Sequence, residues 1–190
     1  MKLNEINQLL RCIDRELWVV TAAFEGALGG LVATFVSPIS IVPALPRMAV
    51  AISKQHRTWE LIEAAGCFAV QLLSADQFEL AWQFGSQSGR EIDKFSQLDW
   101  SPGVTGSPLL RAAAGWLECR IESRLDTGDR TLYLAEVVAG DLLQPFTPLT
   151  QRKFLSESSP EQLAKLKSDM SADATADAAA IHAWRVRHSV

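Results

Sequence analysis

The sequence predicts a mainly β protein, a closed or split β-barrel with peripheral helices. Three observations carry that expectation. Apolar runs of strand length recur along the chain and are rich in β-branched and aromatic residues. Short glycine-containing turns join several of them at hairpin distance. Strand and helix do not alternate regularly and no internal repeat appears, so a doubly wound sheet is the weaker reading. About seven strands and three or four helices fit a barrel.

The elements follow in order. Met1 to Arg15 reads as a short amphipathic helix with Leu3, Ile6, Leu10 and Ile13 on one side. Leu17 to Phe24, Leu31 to Val36 and Met48 to Ser53 read as strands, the first two joined by a loop over Glu25 to Gly29. Pro38, Pro43 and Pro46 keep the next connection irregular. Thr58 is placed to cap a helix that Gly66 stops, and Cys67 to Leu73 returns to strand. Ser74 and Gln77 have capping-box spacing ahead of a helix presenting Phe78, Ala81 and Trp82. Gly85 to Pro108 is rich in Gly, Ser and Pro and reads mostly as loop.

Trp116 to Leu125 alternates cleanly. Leu117, Cys119, Ile121 and Leu125 share one face, and Glu118, Arg120, Glu122 and Arg124 the wet one. A turn over Asp126 to Asp129 leads into a strand from Thr131 to Val138. Helix resumes at Ser159-Pro160, with proline at the first helical position, and runs to about Trp184. A single domain over 1–190 is expected, with the barrel at about 15–145 and a helical tail at about 146–190.

The chain has 190 residues and a net charge of −4, which argues against broad attraction to nucleic acid or anionic membrane. The N-terminus lacks a signal-peptide pattern, and no run approaches the ~20 apolar residues of a membrane helix. Cys12, Cys67 and Cys119 are too few and too scattered for a disulfide framework or zinc knuckle. A cytoplasmic protein is expected.

Several chemistries lack their residues. His56, His182 and His188 have no metal-ligand spacing, so no metal site is expected. Gly85-Ser86-Gln87-Ser88-Gly89 only approaches a hydrolase elbow, and the Walker phosphate loop is missing. Gly26, Gly29 and Gly30 precede a strand-like run where a dinucleotide loop needs a helix. Two features remain. Lys54, His56, Arg57 and Thr58 precede or open a helix, where free amides and a partial positive charge suit a phosphate. A solvated loop with a routine threonine cap is the commoner meaning of such a motif. Ala22, Ala23, Ala33, Ala49 and Ala51 leave room for a flat ligand or simply fit barrel taper.

Taken together and in order, these segments resemble the flavin reductase-like family, the FMN-binding split barrels. The resemblance runs from about Leu17 to Leu143. It rests on Trp18-Val19-Val20-Thr21, Gly29 with Thr34-Phe35 and Ser37, Lys54-x-x-Arg57-Thr58, and Phe68-Ala69-Val70 with Leu72-Leu73. Phe84-Gly85, Asp93-Lys94-Phe95, Gly106 to Leu110, Trp116 to Cys119 and Gly128 to Leu132 continue it.

The resemblance implies an FMN site, with FAD left open. Ala33, Thr34 and Phe35 would line the isoalloxazine ring. Lys54, His56, Arg57 and Thr58, with Ser53 just ahead of them, would hold the ribityl chain and phosphate. It further implies a homodimer, hydride from NADH or NADPH, and, if there is one, a partner monooxygenase. No catalytic residue is named, because the hydride chemistry belongs to the cofactor.

The chain departs from the family pattern in three places. His56 stands where many members have serine. Arg130 stands where many have histidine, and it would attract a nicotinamide phosphate or pair with an acid. A helical tail replaces a C-terminal Gly-Arg-Tyr-like pattern, and it would pack on its own barrel or across the dimer. An NAD(P)H-dependent flavin reductase is the first reading. A non-enzymatic FMN-binding or redox-partner protein of the same fold is the alternative, and a barrel with an empty or different pocket is a third.

Overall fold

The structure is a computed structural model that describes residues 2–142 and 145–188. Its strands in chain order are β1 (Trp18–Phe24), β2 (Ala27–Ala33), β3 (Val36–Pro38), β4 (Arg47–Ser53), β5 (Cys67–Leu72), β6 (Trp100–Pro102), β7 (Pro108–Leu110), β8 (Gly115–Asp126) and β9 (Arg130–Leu142). The helices are α1 (Leu3–Arg11), α2 (Arg57–Ala65), α3 (Phe78–Ser86), α4 (Gln151–Glu157) and α5 (Pro160–His188).

Seven strands form one antiparallel sheet in the order β2-β1-β5-β8-β9-β4-β3, while β6 and β7 pair with each other. The outer strands β2 and β3 are successive stretches of one segment, separated only by Thr34 and Phe35. The sheet therefore curls until its two edges meet at that dipeptide, giving a half-barrel with helices around it. The mainly β expectation holds.

Two apolar clusters flank the sheet. The inner one gathers Val20, Val50, Ile52, Phe68 and Tyr133 with Ile62 of α2. The outer one gathers Val19, Leu73, Phe84, Phe95, Leu149 and Phe154 beneath α3 and α4. Val19 and Val20 belong to opposite clusters, so β1 is covered on both faces. That explains its continuous apolar run where a half-wet strand would alternate.

Several expectations are corrected. The run Leu31 to Val36 is not one strand: β2 stops at Ala33 and β3 starts at Val36, because the chain turns the closing corner between them. The β1–β2 loop is only Glu25 and Gly26, whose φ of 48° and 80° match a type I′ hairpin turn. Ser74 N–H does donate to Gln77 Oε1 at 2.9 Å, yet α3 begins only at Phe78. Part of the expected 85–108 loop is the β6 strand, and α4 was not anticipated; Thr150 Oγ1 caps it by accepting from Lys153 N–H at 3.3 Å. The long tail helix does form, and it continues past Trp184 to His188. The apolar side of α1 finds no cover, since no residue of that helix is buried.

Glu118 was expected to face water and is instead fully buried. A register shift between Glu118 and Cys119 accompanies the change, as bulges re-aim side chains. Its carboxylate accepts from the backbone N–H of Val104 and Thr105 at 2.9 and 2.8 Å, and from Thr105 Oγ1 at 2.6 Å. The β6–β7 loop is folded over that strand face by these bonds.

Gly30 of β2 sits beneath an edge-to-face pair, Phe84 and Phe95, whose ring centroids are 5.4 Å apart. A Cβ there would lie 2.3 Å from Phe84 Cε1 and 3.2 Å from Phe95 Cζ. Gly30→Ala should therefore cost roughly 1–3 kcal/mol of stability, read as a lower urea midpoint; an unchanged midpoint would show that the rings have room to move.

Candidate functional site

The site is built where α2 meets β2. Leu61 and Ile62 pin the helix to the sheet by burial, and Gly66 ends it in the left-handed conformation at φ 69°. Its start differs from the sequence expectation. Thr58 is not the cap: the N-cap is His56, in extended conformation, and its side chain makes no capping bond. Arg57 and Thr58 are therefore the first two helical residues, and within the described residues their N–H groups have no partner. The Thr58 hydroxyl likewise makes no hydrogen bond there. Glycine at 29 allows this closeness, since a Cβ on it would lie 3.1 Å from Thr58 Oγ1 and 3.2 Å from Thr58 Cα.

This helix start opens on a cavity of about 680 Å³, in the range of small-molecule sites. One wall is Gly29 to Val32. The basic end is Gln55 to Thr58. Phe84 to Ile92 and Lys94 form the far side, and Lys165, Asp169 and Asp173 of α5 complete it. A second cavity of about 500 Å³ shares Gly29, Gly30, Arg57 and Lys94 with the first.

The charges around this space are unequally satisfied. Arg90 pairs with Glu60 at 2.6 Å, and Lys165 with Asp169 at 2.8 Å. Among the described residues Arg57 has no carboxylate partner. Lys94 has none either: its ammonium is buried and donates to Gly30 O at 3.1 Å and Phe84 O at 2.9 Å. Burial pushes its pKa down to about 8. His56 is exposed by surface area, yet protein atoms crowd its ring. That desolvation lowers its pKa, Asp173 opposing and Lys94 reinforcing the shift.

The predicted residues separate into two groups. His56, Arg57 and Thr58 line the cavity together. Lys54 does not: its ammonium is held by Asp126 at 2.6 Å and its N–H by Asp129 O at 3.0 Å. Ser53 is buried, its hydroxyl accepting from Gln55 N–H at 3.4 Å. Ala33 is buried in the inner cluster, and Thr34 and Phe35 form the corner where the sheet edges meet. None of the three lines this cavity. The Phe35 ring lies between the guanidinium groups of Arg15 and Arg130, at 5.2 and 5.3 Å. Arg130 took the acid-pairing option, bonded to Asp129 and Asp177 at 3.2 and 3.0 Å.

Sequence reasoning missed Lys94 as a charge in the cavity wall. It also missed the acidic face of α5, although Asp169, Asp173 and Asp177 recur every fourth residue, a spacing that places them on one helix side.

A curled half-barrel carries an unpaired arginine and free helix amides beside a glycine-floored cavity, the kind of donor set that small anionic ligands take. The flavin reductase like domain matches residues 10–152, and the chain belongs to that family. The reductase subunit HsaB of a flavin-dependent monooxygenase from Mycobacterium tuberculosis is 30% identical over 119 residues, 63% of this chain and 61% of that protein. The high molecular weight rubredoxin of Moorella thermoacetica is 32% identical over 143 residues, 74% of this chain and 62% of that protein. The chain thus spans about three-fifths of the length of these relatives. Among solved structures, the NADH:FAD oxidoreductase SgcE6 of Streptomyces globisporus superposes with a TM-score of 0.69 at 25% identity, covering 78% of this chain and 88% of that one. Helix α5 lies wholly beyond the matched residues.

The buried cation gives the site a pH signature. Above about 8, Lys94 loses its charge. Affinity for a phosphate-bearing ligand should therefore fall as pH rises from 7 to 9, and Lys94→Met should flatten that fall. Titrations giving the same affinity at both pH values would remove Lys94 from the binding account.

Proposed function

We propose that this chain is an NAD(P)H-dependent flavin reductase that holds FMN in the cavity at the start of α2. The observation that carries the reading is Arg57: a guanidinium without a carboxylate partner, at the first helical position, beside two unpartnered amides and a free hydroxyl. That donor set suits a terminal phosphate monoester, which offers three acceptor oxygens. When bound, the flavin would supply the two-electron acceptor for hydride from a reduced nicotinamide.

This chain's own residues have the tasks of binding and orientation. Arg57, Thr58 and their backbone N–H groups hold the phosphate. Lys94 adds positive potential to the wall, and Gly29 and Gly30 let a ligand lie close to β2. Thr34 and Phe35, at the sheet corner outside this cavity, are assigned to the ring end of the flavin where it extends beyond the cavity, with Ala33 backing that corner from the core. Lys54 and Ser53 keep the loop before α2 in place.

A homodimer belongs to the same proposal. Ile39, Ile41, Val42 and Leu45 cluster in one exposed segment, and the apolar side of α1 is uncovered as well. Such surface suits a protein interface. The kinship with a monooxygenase reductase subunit supports a role in delivering reduced flavin to a partner monooxygenase. Among the described residues no helix is long and apolar enough to cross a membrane.

The locked Arg130 favours a second reading, a flavin-binding protein that nicotinamides do not reduce. Anaerobic addition of NADH and then NADPH to the FMN-loaded protein separates the two. The reductase reading expects loss of the visible flavin absorbance within seconds to minutes. Persistent colour with both nucleotides would favour the second reading, and protein that fails to bind added FMN would overturn both.

A further inference from the structure

We infer that helix α5 sets the flavin specificity of the site, admitting a flavin that ends in a monophosphate and disfavouring one extended by a second nucleotide. The inference rests on the flavin reading above and concerns residues outside the matched family region.

The helix is clipped over the phosphate end of the cavity at several points. Gln55, immediately before the His56 N-cap, donates from Nε2 to Asp177 Oδ1 at 2.7 Å. Arg130 holds the other oxygen of the same carboxylate at 3.0 Å. Further along, α5 lies directly on the β8–β9 turn. A Cβ on Gly128 would lie 2.8 Å from Trp184 Cβ and 2.9 Å from Ala180 O, so no other residue lets the helix come so near. The half-buried positions Gln162, Leu166, Asp169, Asp177, Ala180, Ile181 and Trp184 recur at helical spacing and mark the side that faces the barrel.

What α5 presents to the cavity is mostly negative. Asp169 and Asp173 line it opposite the start of α2. Lys165 is neutralised by Asp169, and Asp173 has no cationic partner within salt-bridge reach among the described residues. The cavity therefore has a cationic end at Arg57 and Lys94 and an acidic wall at Asp173. A polyol monophosphate satisfies both, with phosphate on the cations and hydroxyl groups donating to the carboxylate. A dinucleotide has to continue past the first phosphate. On this side it meets the Gln55–Asp177 bond, and its second phosphate comes to lie near the unpaired Asp173 carboxylate. Like charges so placed act as the repulsive element that specificity requires.

The test uses the full chain and direct binding, with no nicotinamide present. Riboflavin, FMN and FAD are titrated by fluorescence quenching against the native protein, the D169A/D173A variant and the D177A variant. Native protein should bind FMN at least about tenfold more tightly than FAD. Removing the two carboxylates, or releasing the clip at Asp177, should cut that ratio several-fold, chiefly by improving FAD. Riboflavin affinity in the D177A variant, which leaves the cavity wall itself untouched, should stay near the native value and so report an intact ring site. An FMN-to-FAD ratio near one in native protein, or a ratio unchanged in both variants, overturns the assignment to α5 and leaves the flavin reading intact. Failure of all three flavins to bind native protein overturns the flavin reading itself.

Discussion

The site depends on two adjacent residues without side chains. Gly29 and Gly30 occupy the middle of β2, and each lacks a Cβ where another element approaches. At Gly29 the start of α2 comes against the strand; at Gly30 the Phe84 and Phe95 rings do, while the Gly30 carbonyl holds the Lys94 ammonium. The helix that offers its amides and the loop that offers a buried cation are thus brought to one short stretch of strand. Any side chain at either position would push one wall of the cavity outward. Glycine weakens a strand intrinsically, so two in succession point to the packing they permit.

Around this step, function follows from which charges are already satisfied. Lys54, Arg90 and Arg130 are cations near the cavity, and each is held by a carboxylate. Arg57 and Lys94 are not. A buried ammonium bonded only to carbonyls retains an uncompensated charge, which an anionic ligand would relieve. The cations that look most exchangeable in sequence part ways in the fold, some fastened to carboxylates and some left without one.

The strand content was legible because β-branched and aromatic runs have few other uses, and the hairpin at Gly26 was legible through its glycine. The corner at Thr34-Phe35 was hidden, since Leu31 to Val36 is uniformly apolar and composition does not mark where a sheet closes. Glu118 was misread because alternation assumes an unbroken register, and a register shift sits beside it. Within the site, local spacing brought Arg57 and Thr58 together, and both line the cavity. Lys54 could not be separated from them, because its partner Asp126 lies 72 residues away in sequence. The docking of α5 was equally hidden: its contact face is spread among alanines, and only the fourfold spacing of its aspartates hinted at a shared side.

The central claim is that the start of α2 clamps a flavin phosphate. It is tested most directly by comparing FMN with riboflavin, which differ by that phosphate alone, on native protein and on the R57A/T58A variant. Charge-assisted contacts are worth roughly 1.5–3 kcal/mol each. The variant should therefore lose at least about tenfold in FMN affinity while riboflavin binding stays close to native. Equal losses for both ligands, or none for either, would contradict the account.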